Sequence, residues 1–193
     1  MNTSTAASPN VSRHMRVLQP IILITIIFFL GASNSRAQTS LDKNIQHIRN
    51  VFTQINSQTN LQQIIIENEE LTDEVPDGGI SLTGFFKNKK ILKIEQWVGL
   101  SYGIHQIEFY FDNDSLIFVY VKEQHFKPSG DSLDHSKIDL KFEGRYYFKS
   151  DTLIHQTTKG IGFWSESNDG ISSLLPDSKN YQKFLYSKKN NDG

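Results

Sequence analysis

The sequence predicts an α+β fold: an antiparallel β-meander of about six or seven strands packed against an N-terminal amphipathic helix, with a short final helix. Three observations carry this. Apolar and polar residues alternate with period two through much of the stretch from Ile80 to Thr158. A nine-residue pattern of aromatic pair, polar turn and aliphatic pair occurs three times, as GFFKNKKIL (84–92), FYFDNDSLI (109–117) and YYFKSDTLI (146–154). Residues 41–57 carry a single apolar stripe, Leu41, Ile45, Ile48, Phe52 and Ile55, at steps of three and four.

The first segment reads as an export signal. Arg13 and Arg16 precede an apolar run over 21–32, which is 12 residues long. That is the length of a signal-peptide core and short of the roughly 20 residues that span a bilayer. Ser35-Arg36-Ala37 supplies small residues around a cleavage point, so Gln38 is expected to begin the mature chain. The expected domains are a cleaved signal over 1–37 and a single exported domain over 38–193. No later segment has the length and apolarity of a membrane-spanning helix. A bacterial periplasmic or extracellular location follows as an expectation.

Cleavage removes three arginines and no acid, leaving 17 basic against 21 acidic side chains. That slightly acidic balance does not suggest nucleic acid, which calls for a basic face. The chain has no cysteine, which excludes disulfides, thiol catalysis and Cys-ligated metals. A length of 156 residues after cleavage is enough for a self-sufficient core.

The helix over 41–57 has capping chemistry at its start, with Thr39 three residues before Asp42. Gln46, Arg49, Asn50 and Gln54 fall on the side away from the apolar stripe. Residues 61–70 are ambiguous, and Ile64-Ile-Ile66 favours a strand. Pro76-Asp-Gly-Gly79 is a turn. Each nine-residue repeat is then one hairpin, two strands joined by a tight Asn/Asp/Ser turn. With Asn113-Asp114 as turn centre, uninterrupted pairing puts Phe111 opposite Leu116, Phe109 opposite Phe118, and Ile107 opposite Tyr120. These six residues would share one face, and the N-terminal helix is expected to cover it. On the strand over 138–148, Ile138, Leu140, Phe142, Tyr146 and Phe148 occupy one phase, and Gly144 fills the gap as a site of close approach. Residues 127–136 read as a polar loop and 160–170 as irregular. The final helix is expected over 177–188, with Tyr181, Phe184 and Leu185 on one side.

Gly-Leu-Ser-Tyr-Gly (99–103) matches the G-x-S-x-G pattern of a nucleophile elbow. That device needs a strand before it and a helix after it. Ile104–Phe111 is dense in β-branched and aromatic residues, so a strand follows, and Ser101 reads as a turn residue with the glycines supplying positive φ. Asp112-Asn-Asp-Ser115 lacks the later oxygen ligand and glycine of a calcium loop and reads as a hairpin turn. His47, His105, His125, His135 and His155 show no metal-ligand spacing, although His105 and His155 could converge across hairpins. Asn113-Asp-Ser115 is also a glycosylation sequon in form.

The sequence therefore points to an exported, non-catalytic module that binds a protein, a glycan or a small apolar ligand. The alternatives are a small secreted hydrolase using Ser101 or a His-centred site, and a structural accessory subunit. No cofactor or metal is implied. The partner is unspecified, beyond the expectation of no nucleic acid and no membrane span once the signal is removed. Trp97, Tyr102, His105, Tyr120, His155 and Trp164 are the ligand-facing candidates.

Overall fold

The computed structural model describes residues 38–163 and 168–191. The expected signal over 1–37 and the candidate Trp164 lie outside the described residues. The chain divides into two compact units, Met1–Lys43 and Asn44–Gly193. The described part of the first is the opening of a helix, where Gln38 Nε2 donates to Asp42 Oδ1 at 3.3 Å. That helix, α1, covers 38–56, so Thr39 stands inside its first turn and not before it.

The sheet belongs to the second unit. Its strands are β1 (Gln62–Glu67), β2 (Ile80–Lys87), β3 (Lys90–Leu100), β4 (Gly103–Asp112), β5 (Ser115–Ser129), β6 (Ser132–Lys149) and β7 (Thr152–Gly160). They form one sheet in the order of the chain, every neighbouring pair antiparallel. A 3₁₀ turn, Asn68–Glu70, follows β1, and a C-terminal helix, α2, spans Asn168–Asn191. The meander and both helices are thus present. The final helix starts well before the expected residue 177 and runs through Pro176.

The three repeats are three copies of one hairpin. Their turns, Asn88-Lys89, Asn113-Asp114 and Ser150-Asp151, all have positive φ at both residues. That is the turn whose twist matches paired strands. Each copy also carries a β-bulge in the same place. Phe111 pairs with Leu116, but Tyr110 pairs with Phe118, so Ile117 is an extra residue. Leu92 and Ile154 are extra in the same way.

The bulge corrects the expected faces. Past Ile117, β5 is displaced by one residue, and a displacement of one exchanges the two sides of a strand. Ile107, Phe109, Phe111 and Leu116 share a face with Val119 and Val121, all 5% exposed or less. Phe118 and Tyr120 pair with Tyr110 and Glu108 and stand on the opposite side. A second irregularity, between Glu123 and Gln124 in their pairing with β6, displaces Ile138 and Leu140 from the phase of Phe142. They are 40% and 51% exposed, not part of the core. The expected loop over 127–136 is a continuation of β5 and β6 around the two-residue turn Gly130-Asp131.

Each face has its own helix. The core containing Phe109, Phe142 and Tyr146 is covered by α2, whose Leu174 and Leu185 are fully buried. A Cβ on Gly84 would lie 2.9 Å from Leu185 Cδ1, so glycine there makes room for the helix. Tyr181 and Tyr186 fasten α2 through hydroxyls. Gln96 Nε2 donates to Tyr181 Oη at 2.8 Å, and the Ile91 N–H donates to Tyr186 Oη at 3.1 Å. Burial pushes the Tyr181 hydroxyl up to about 12. The expectation that the N-terminal helix covers Phe109 is therefore overturned. α1 packs on the other face, where the Phe52 ring lies 4.8 Å from Tyr110 and 5.5 Å from Phe118. Ile45, Ile48 and Ile55 of its stripe are buried as expected.

Gly144 fulfils its expected role, since a Cβ there would lie 2.7 Å from the Tyr146 ring. Gly99 and Gly103 do not supply positive φ. They permit close backbone approach, Gly99 to Gly78 and Gly103 to the Gln124 carbonyl.

Candidate functional site

α1 covers only the part of its face near the three repeated turns. Its flank is tied there by His47 to Asp112 at 3.1 Å and by Asn56 to Tyr110 at 3.1 Å. Beside the helix lies a cavity of about 460 Å³. Ile48, Arg49 and Phe52 contribute to it from α1. Phe118, Tyr120 and Tyr147 line it from the sheet, with Arg145 and Thr157 completing it. Aromatic rings in tilted contact build one side, with Phe118 5.0 Å from Tyr147 and Tyr147 5.5 Å from His155.

A network of opposite charges continues from the cavity along the same face. Lys93 Nζ lies 3.2 Å from Glu95 and 3.3 Å from Glu108. Gln106 donates to both carboxylates, and Lys122 stands 3.7 Å from Glu108. Tyr110 Oη donates to Glu108 at 2.5 Å, and burial together with that carboxylate raises its hydroxyl far above the usual range. Arg145 pairs with Glu143 and stacks on Tyr120, its guanidinium 5.1 Å from the ring centre. Tyr120 Oη donates to Glu143 at 2.8 Å; burial, then this bond, pushes its hydroxyl up to about 12. Three carboxylates thus oppose Lys93, Lys122 and Arg145, and the network is neutral as a whole. Arg49 is different. It is exposed and makes no ion pair with any described residue. Among the described residues it is the cation at this cavity without an ion pair.

Two other clusters involve predicted residues. On the α2 face, Glu123 is 2% exposed and accepts from His125 Nε2 and from the Phe163 N–H, each at 2.8 Å. His105 Nε2 is 3.9 Å from the same carboxylate, and the Tyr102 ring packs edge-on against both histidines. Burial holds His105 below the usual histidine range, against the pull of Glu123. Among the described residues no group of three acids and histidines has the arrangement of a metal site. On the α1 face, Trp97 borders a cavity of about 340 Å³ that Ser101, His135 and Asp77 also line. No hydrogen bond connects Ser101 to His135, which instead packs on Phe126 at 4.4 Å. Ser101 itself occupies the two-residue turn Ser101-Tyr102 between paired Leu100 and Gly103.

The predicted candidates therefore scatter. Tyr120 lines the cavity beside α1, and His155 packs on one of its aromatic residues. Trp97 sits at the smaller cavity, and Tyr102 and His105 surround Glu123. His105 and His155 stand on opposite faces and do not converge. Sequence reasoning missed Phe118, Arg145 and Arg49. For Phe118 the signal is Ile117, the aliphatic residue after the turn that uninterrupted alternation cannot place; no such local signal marks the two arginines.

The sequence matches no family model, and no curated protein or solved structure is similar to it.

Proposed function

We propose that the chain is an exported, non-catalytic binding module that takes a small ligand with an aromatic or apolar body and an anionic group. The observation that carries this reading is the cavity of about 460 Å³ between α1 and the sheet, with aromatic lining and an arginine that has no ion pair among the described residues. Ligand sites usually have volumes of about 300–1,000 Å³, apolar walls and a few polar groups that fix orientation. Phe52, Phe118 and Tyr147 offer the walls. Arg49 and Arg145 offer planar donors for a carboxylate, sulfonate or phosphate. Arg49 does so without first breaking an ion pair to any described residue. Export rests on the sequence pattern of residues 13–37.

The test is a fluorescence titration with 8-anilinonaphthalene-1-sulfonate, which joins aromatic rings to an anion. Saturable binding of one molecule per chain is expected. Thr157→Trp should fill the cavity and abolish it. Arg49→Ala should weaken it by about three- to tenfold, the range for a partly exposed charge-assisted contact. Absence of saturable binding, or binding that Thr157→Trp leaves intact, would overturn the reading.

A further inference from the structure

The two edges of the sheet are built differently. β7 carries a bulge at Ile154 and a run of polar residues ending in Lys159-Gly160. These devices discourage another strand from pairing there. β1 has none of them. It reads Gln-Gln-Ile-Ile-Ile-Glu, pairs with β2 over all six residues without irregularity, and contains no proline, glycine or lysine. No described strand pairs with its other side. Ile64 and Ile66 turn toward the α2 core, while Ile65 is 57% exposed.

We infer that β1 pairs with β1 of a second copy, joining two sheets into one across a two-fold axis. A two-fold axis makes identical edges antiparallel. Residues opposite each other must then point to the same face, so the axis passes beside a residue and not between two. Placing it at Ile65 sets Ile65 against its own equivalent and buries the most exposed apolar side chain of the strand. It also sets Gln63 against Glu67 of the other copy.

Charge complementarity supports this register. A cavity of about 760 Å³ lies beside β1, lined by Gln62, Gln63, Lys89 and Lys189 among others. Lys89 is exposed and has no ion pair among the described residues, and Lys189 Nζ donates to Gln62. In the antiparallel pair, the residues that follow β1 in the second copy run past this end of the first. Those residues include Glu67 and Glu69, both exposed and without an ion pair among the described residues. The two-fold axis makes the same contact twice. Because β7 resists pairing, the assembly closes at two copies.

The test is sedimentation velocity on the purified full chain. A reversible dimer is expected within concentrations up to about 100 μM, with no larger species. Ile65→Lys puts two like charges at the axis on an already exposed position. It should weaken the dimer at least about tenfold while leaving the thermal midpoint of the monomer unchanged. The double variant Glu67→Lys/Glu69→Lys should also be monomeric, as should Lys89→Glu/Lys189→Glu. Mixing these two should restore a dimer, because both contacts then pair opposite charges. A monomer at all concentrations, a dimer that Ile65→Lys leaves intact, or mixed variants that stay apart would overturn the inference.

Discussion

One face of the sheet is closed and the other half open. Under α2, sixteen of the described residues form one buried cluster, most of them aliphatic or phenylalanine. Under α1 the buried rings give way within a few residues to a cavity and then to a layer of paired charges. On the binding reading proposed above, the difference separates two tasks. Apolar area removed from water stabilises the fold, at roughly 25 cal/mol per Å². A face that keeps rings and charges half exposed gives up part of that stabilisation and retains a surface that can recognise something. If the division is real, substitutions on the two faces should differ in kind.

The largest expected effect is on the closed face. Leu185→Ala should cost about 2–5 kcal/mol in urea unfolding, because the leucine is fully buried in α2 and Gly84 is shaped around it. Phe52→Ala removes a larger side chain from the open face, yet Phe52 is only partly buried beside a cavity that already exists. Its expected cost is about 1–2 kcal/mol, below the range for a fully buried phenylalanine. A Phe52→Ala loss equal to or above that of Leu185→Ala would erase the distinction.

A third measurement probes the polar end of the closed face. His105 in the folded chain is held below the ordinary value of 6.5, chiefly by burial, with His125 adding to the effect and Glu123 opposing it. The folded state therefore holds the proton less tightly than the unfolded chain. Stability is complete above about 6.5 and declines as pH falls below it. Urea midpoints taken between about pH 7.5 and 5.5 should fall, and His105→Gln should flatten the slope. A midpoint that rises toward acid would show that Glu123 dominates instead.

Smaller still is the effect of one hydroxyl. Tyr146 Oη is buried in the closed core and makes no hydrogen bond to a described residue. Removing an unsatisfied buried group relieves its desolvation, so Tyr146→Phe should leave stability unchanged or raise it by up to about 1 kcal/mol. A loss above that amount would mean that the hydroxyl has a partner in solution. The least effect is expected at Ser101, an exposed turn residue. A broad fluorophosphonate probe should leave the folded protein unlabelled, and Ser101→Ala should be silent. Stoichiometric labelling lost in that variant would revive the hydrolase.

The sequence by itself determined the meander, the turn positions and the amphipathic stripe of α1. These depend on neighbours a few residues apart, and Asn113-Asp114 specifies its turn wherever the hairpin lies. It also exposed the threefold repeat, though not its full content. The aliphatic pairs Ile91-Leu92, Leu116-Ile117 and Leu153-Ile154 each contain a bulge residue that alternation alone cannot assign. Pro176 similarly conceals the first turns of α2, since a proline inside a helix removes one backbone bond and crowds the preceding turn, and so reads as a boundary, yet the helix runs through it. Tertiary structure decided which face each residue occupies past a bulge, and hence which helix covers which side. It also decided the candidate site. Arg49, Phe118, Arg145 and Tyr147 come from three separate elements, and nothing local in any one of them records the others. Period two fixes that neighbours on a strand point apart. Only packing against two different helices fixes which way is in.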